Sequence, residues 1–273
     1  MPVIDAHQHF WKLADRIGEW PPAELAAIHR DFEPADLKPL LDAAGIDGTV
    51  LVQTMEREAD TVYMLSLAGK HDFIHGVVGW TDLKAKDAVQ KVAALSHYPK
   101  LKGLRPMLQG MSDIDWICDE AIDPAIAAMI DHDLAFDALI LPPQLAQIHE
   151  FANRHSQLRI VIDHAAKPYI AEGKISEWRS GMKALSLLPN VFCKLSGLLT
   201  EAGEQKPQAV RPYAETILEL FGPARTLWGS DWPVLRLAGD YQSWFNQCCE
   251  IVPSEHHGAV FGQNAIHFYH LNG

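Results

Sequence analysis

Val3-Ile4-Asp5-Ala6-His7-Gln8-His9 opens the chain with a short apolar strand that runs directly into two histidines. On a strand, the i, i+2 spacing puts both imidazoles on one side. Two rings converging there can hold a metal ion or polarise a substrate carbonyl. The same stretch decides between the two architectures open to an α/β chain. An open doubly wound sheet wants a glycine-rich phosphate loop after its first strand; this position holds His-Gln-His. A barrel that gathers its chemistry at the strand C-termini suits a histidine pair there. His-x-His also arises by chance in loops, so the other end of the chain matters. There Leu227-Trp228-Gly229-Ser230-Asp231-Trp232-Pro233 reads as a second buried strand that delivers a carboxylate at its tip.

Between these ends the chain alternates apolar strands with helical stretches. The expected strands are 3–5, 49–53, 75–80, 101–107, 135–141, 159–164, 190–196 and 225–231. They are near-continuous runs of Val, Ile, Leu and Phe, as when both faces of a sheet are covered. Amphipathic segments at 36–44, 58–70, 87–95, 124–130, 144–152, 175–188, 210–221 and 241–251 separate them, each ended by Gly, Pro, Asn or a polar run. Eight strands, each followed by a helix, predict a (β/α)8 barrel, and 273 residues suit that fold. With no repeat and no linker-like shift in composition, 1–273 reads as one domain. Two connections are long: 10–32, with Trp11, Trp20 and Pro21-Pro22, and 197–208, with Thr200, Glu201 and Glu204. Both belong to the C-terminal face of a barrel and are lid candidates.

Composition narrows the partners. Lys+Arg 23 against Asp+Glu 35 gives a net charge of −12, which argues against nucleic acid or an anionic membrane surface. Hydrophobic content of 48% with 21% charged residues is ordinary for a soluble enzyme. The cysteines, Cys118, Cys193, Cys248 and Cys249, include no Cys-x-x-Cys pair and are read as reduced. No basic-then-apolar leader and no membrane-length apolar stretch is expected, so the location is read as cytoplasmic. The sequence leaves a monomer and a homo-oligomer equally open.

The strand tips present His7 and His9, Gln53, Trp80, Arg105, His164, Lys194 or Ser196, and Asp231. In a barrel they share one mouth, and that coincidence carries the functional reading. Asp231 competes with a role as helix N-cap, and His164 with a merely satisfied strand-end histidine. Arg105 would set a guanidinium fork beside the histidines, suited to a carboxylate or carbonyl oxygen or to a structural ion pair. Gln53 and Trp80 are weaker candidates for substrate contact and read first as core or rim packing. Trp11 and Trp232 are candidates to cover a sugar ring, whereas Trp20 reads as packing. His132, ahead of the fifth strand, belongs to the opposite face.

These residues resemble the amidohydrolase superfamily, and within it the branch of small lactonases that includes sugar lactonases and a pyrone dicarboxylate lactonase. The motifs that carry the resemblance are Asp5-Ala6-His7-Gln8-His9-Phe10-Trp11, Asp47 to Gln53, Gly76 to Trp80, Lys102-Gly103-Leu104-Arg105-Pro106, Asp163-His164-Ala165-Ala166-Lys167-Pro168, Lys194-Leu195-Ser196-Gly197 and Trp228 to Pro233. They run from end to end in barrel order. The resemblance implies hydrolysis at a carbonyl carbon by His7, His9, His164 and Asp231. It also implies an aldonolactone substrate such as fucono-, rhamnono- or galactonolactone.

Two-metal members of the superfamily are similar to one another in a bridging Lys or Glu on the fourth strand and a His on the fifth. Here the fourth ends in Arg105 and the fifth holds no histidine, so at most one divalent ion, Zn²⁺ for instance, is expected. His7, His9 and Asp231 would hold it, with His164 as a fourth ligand. Catalysis without metal stays open, because a lactone is an activated ester. In the expected mechanism Asp231 activates water against a carbonyl polarised by the histidines, with Arg105 nearby. The rivals are a metal-dependent decarboxylase or amidohydrolase acting on a small acidic metabolite, and a non-catalytic sugar-binding barrel.

Overall fold

In a computed structural model of the protein, residues 1–271 are described; 272 and 273, the last two of the expected domain, lie outside the described residues. Eight parallel strands run in the order β1 to β8: Ile4–Gln8, Gly48–Val52, Ile74–Gly79, Leu101–Leu104, Ala135–Ala138, Ile160–Ile162, Val191–Leu195 and Thr226–Trp228. The ring closes through backbone bonds from His9 N to Trp232 O and from Asp231 N to His7 O, both 2.8 Å. The helices are α1 (Pro34–Ala44), α2 (Glu58–Ala68), α3 (Ala88–Ser96), α4 (Asp123–Asp131), α5 (Leu145–Arg154), α6 (Ser176–Ser186), α7 (Leu198–Ala202), α8 (Arg211–Phe221), α9 (Tyr241–Ile251) and α10 (Asn264–Phe268). This is the (β/α)8 barrel.

Local chemistry explains most boundaries. A capping box between Glu33 and Asp36 starts α1, Pro34 occupies its first turn, and Gly45 ends it at φ 69°. Several strands stop short of the apolar runs that announced them. The fourth ends at Leu104, just ahead of Pro106, which has no N–H for a ladder. The sixth ends at Ile162 because His164 to Lys167 all take positive φ. The eighth ends at Trp228, and Asp231 lies at φ 59°. Two elements escaped the sequence reading: α7, inside the expected loop 197–208, and α10.

Inside the barrel, Ile4, Val50, Val52, Val78, Val161 and Leu227 form an apolar floor, closed from below by Phe268, Tyr269 and Leu271 after β8. A larger core packs the outer strand faces against the helices. The four cysteines are unpaired. Among the described residues no helix is long and apolar enough to cross a membrane.

Candidate active site

The first strand carries a bulge that sets the site. Asp5 points outward, accepting from Tyr241 of α9 at 2.9 Å. His7, two residues on, points inward, with Lys194 Nζ 3.1 Å from its Nδ1. Strict alternation would put both on one face; the β1–β2 pairing slips between Asp5 and Gln8, and the extra residue turns His7 inward. His9 then follows on the same side, and the two rings lie 4.9 Å apart.

Above the apolar floor sits a layer of buried charge. Lys194 of β7 lies 2.5 Å from Asp137 Oδ2 on β5 and 2.9 Å from Asp163 Oδ1 after β6. Arg105 donates to Asp163 Oδ2 at 2.9 Å and to the Gln53 carbonyl. Tyr269 donates to Asp137 Oδ2 at 2.7 Å. Burial favours a protonated Asp163, but Lys194, His7 and Arg105 override it and hold the carboxyl well below its usual range. Burial pushes Asp137 up to about 6, with Lys194 holding it back.

At the mouth three imidazoles surround one carboxylate oxygen. Asp231 Oδ1 lies 3.1 Å from His9 Nε2, 3.7 Å from His164 Nε2 and 3.8 Å from His7 Nε2. Burial raises the Asp231 carboxyl, yet His164, His9 and His7 together bring it below its ordinary range, so it is ionised at neutral pH. Burial pushes His164 down to about 4. It drives His7 well below the usual histidine value too, and the Lys194 charge adds to that. Both rings are therefore neutral at pH 7.

The backbone is strained at the same place. His164, Ala165, Ala166 and Lys167 occupy the left-handed region in succession (φ 50°, 52°, 59° and 49°), at about 1–2 kcal/mol per residue. That turn aims His164 and Lys167 into the mouth. His164 Nδ1 is held 2.9 Å from Ser196 Oγ. Lys167 pairs with Glu201 of α7 at 2.6 Å.

A cavity of about 360 Å³ opens on this cluster. His9, His164, Arg105 and Asp231 line it. Trp20, Met107, Leu139, Val234 and Leu237 give it apolar walls, and Thr54, Gln109, Lys167 and Thr200 a polar side. His7 meets Asp231 and His164 just beneath. Four other expected contacts lie elsewhere. Gln53 is buried and its Nε2 donates to the Arg105 carbonyl at 2.7 Å, holding the arginine rather than lining the cavity. Trp11 is buried, packs edge-on against Trp20 and Phe32 and donates to the Arg30 carbonyl. Trp232 packs edge-on against Phe10 and Phe32. Trp80 is half-buried, its backbone tied to Thr61 of α2, and is not part of the wall. Trp20, read as packing, lines the cavity. Sequence reasoning gave no role to Asp137 and Asp163, and named Lys194 only as an alternative to Ser196 at a strand tip; the signal was there, as charges of opposite sign in otherwise apolar strands.

The donor set suits a divalent ion. His9 Nδ1 donates to the Val52 carbonyl at 2.7 Å, which leaves Nε2, 3.1 Å from Asp231 Oδ1, as the ring atom turned toward the carboxylate and placed to share an ion with it. Two overlapping groups, His7-His9-Asp231 and His7-Asp163-His164, have ligand atoms within 4.8 Å of one another. They share His7, and Lys194 and Arg105 already occupy Asp163, so the first is the better holder of an ion.

The chain matches the profile of the amidohydrolase family over residues 4–271. It is 51% identical to the L-fucono-1,5-lactonase of Burkholderia ambifaria over 98% of this chain and 96% of that protein. It is 35% identical to the L-fucono-1,5-lactonase of Burkholderia multivorans over 87% of this chain and 84% of that one. A crystal structure of an amidohydrolase from Burkholderia multivorans with bound zinc superposes with a TM-score of 0.91 at 33% identity, covering 100% of both chains.

Proposed function

The chain belongs to the amidohydrolase family, and from that premise we propose that it opens the ring of a sugar lactone, an L-fuconolactone-like 6-deoxyaldonolactone first among them. The observation that carries this reading is the convergence of His7, His9 and His164 on the ionised Asp231 at the floor of the cavity. The two relatives at 51% and 35% identity are L-fucono-1,5-lactonases, which supports that substrate class. The walls agree with it. Met107, Leu139, Val234 and Leu237 offer apolar contact to a methyl group and a ring face, and Lys167, Gln109, Thr54 and Thr200 offer partners for hydroxyls.

The chemistry follows from protonation states. Asp231 takes a proton from water as it attacks the carbonyl carbon, and returns it to the departing ring oxygen. Arg105, His7 and His164 face the carbonyl oxygen and stabilise the oxyanion from buried positions. The imidazoles that keep Asp231 ionised also lower its basicity. As the oxyanion forms beside them it draws their polarisation away from Asp231, which strengthens the base when it is needed. His9 anchors Asp231 from the β1 side. If an ion is resident, His7, His9 and Asp231 would hold it, with His164 nearby, and it would supply Lewis-acid polarisation of the carbonyl. The unpaired cysteines support a reducing, cytoplasmic location as part of the same reading.

A pH-indicator screen of aldonolactones with chelated protein tests this proposal. Acid release from a 6-deoxyaldonolactone, faster than from its 6-hydroxy counterpart, is expected. No hydrolysis of any aldonolactone, with or without added zinc, would overturn it.

A further inference from the structure

Lys194 is the buried charge that the mechanism above leaves without a task. It is 0% exposed, on a strand whose other residues are Val191, Phe192, Cys193 and Leu195. An ammonium group has three N–H donors and no acceptor. Around Nζ stand Asp137 Oδ2 at 2.5 Å, Asp163 Oδ1 at 2.9 Å, an ion-pair contact outside hydrogen-bond geometry, and His7 Nδ1 at 3.1 Å. The third contact has one chemical meaning. Because Nζ only donates, His7 Nδ1 presents a lone pair to it; a proton on Nδ1 would set two donors face to face. A ring with one proton then carries it on Nε2.

A second cation presses from the other side. Arg105 Nη1 lies 3.3 Å from His7 Nε2 and by itself would favour the opposite tautomer, with Nδ1–H directed at Asp163 Oδ1, 3.4 Å away. Burial decides between them. Lys194 has no solvent to take its third N–H. Arg105 borders the cavity, where its spare N–H can meet water or substrate. Leaving a buried ammonium donor unpaired is the costlier outcome.

We propose that Lys194 is a positioning residue in the metal-free protein: by donating to His7 Nδ1 it keeps the ring proton on Nε2, so that His7 meets the substrate carbonyl as a hydrogen-bond donor. His7 and Arg105 then present N–H groups side by side to the oxygen that becomes the oxyanion. A bare Nε2 would instead repel that oxygen.

The test is the ¹⁵N–¹H spectrum of histidine-labelled, chelated, full-length protein, with His7 assigned by its disappearance in His7→Gln. The wild type should show a bare Nδ1 and a protonated Nε2. Lys194→Met should move the proton to Nδ1 and lower kcat about 10²-fold, the worth of one oxyanion donor, with KM little changed. Removing the ammonium strands two carboxylates, so Lys194→Met/Asp137→Asn, which also neutralises one of them, is measured beside it and should show the same change of tautomer. A protonated Nδ1 in the wild type, or a protonated Nε2 retained in either folded variant, overturns the assignment; if neither variant folds, the wild-type spectrum decides. Only the kinetic arm rests on the lactone-opening reading. A wild type with the Nε2–H tautomer and no lactonase activity would refute that reading and leave Lys194 in place.

Discussion

His164 shows how burial shapes this site at the level of one residue. Its folded value of about 4 lies below the ordinary 6.5. Between those values the unfolded chain binds a proton that the folded chain refuses, so stability at this position rises with pH and is lost as pH falls from 6.5 toward 4. His164→Asn removes that penalty along with the ring. The stability gap between wild type and variant, read by urea unfolding, should therefore narrow between pH 7 and pH 4.5, by about 1–3 kcal/mol. A gap that widens on acidification would mean the ring is charged in the folded protein. Arg105 makes a second case. Its fork is committed to Asp163 and to the Gln53 carbonyl, and a lysine there keeps the charge but loses one partner. Arg105→Lys should lose activity and about 1–3 kcal/mol of stability, by steady-state kinetics and thermal melting; unchanged values would show that charge alone suffices.

At the scale of elements, the sequence announced the strands through apolar runs and the helices through periodicity, and α9 begins and ends where expected, at Tyr241 and Ile251. What it could not announce are features set by tertiary contacts. The bulge that turns His7 inward appears only in the β1–β2 pairing. The left-handed turn at 164–167 contains no glycine or asparagine to advertise it. Trp11 and Trp232 carry the composition of sugar-stacking residues, but both pack edge-on against Phe32 and are buried. Gly197, between β7 and α7, couples two of these elements. It sits at φ +63°, and a Cβ there would stand 2.6 Å from His164 Cγ. Gly197→Ala should displace His164 and lower kcat at least 10-fold, since misplacing a catalytic group by about 1 Å can cost 10²-fold. The barrel should still fold. Wild-type kcat in this variant would show that the His164 ring position is not critical.

Across the whole molecule, the seven motifs spread from Asp5 to Pro233 made the family and the barrel readable before any coordinates, because each marks a strand end and the strands close in chain order. The four mouth residues His7, His9, His164 and Asp231 were readable for the same reason. The charge layer beneath them was not, since its meaning lies in which strands face each other across the interior. That layer also bears on metal content: both candidate ligand groups draw on His7, and Lys194 and Arg105 compete for Asp163. Zinc loading followed by dialysis and elemental analysis should find no more than one ion per chain, and two would contradict this arrangement.

The central claim is that Asp231 is the base that activates water. Asparagine tolerates the left-handed conformation that residue 231 adopts at φ 59°, so Asp231→Asn should keep the backbone and the fold while removing the proton acceptor. The decisive measurement is the kcat of this variant for L-fucono-1,5-lactone, beside the wild type, at pH 7. A fall of about 10²–10⁴-fold with the fold intact is expected, and a kcat close to wild type would contradict the account.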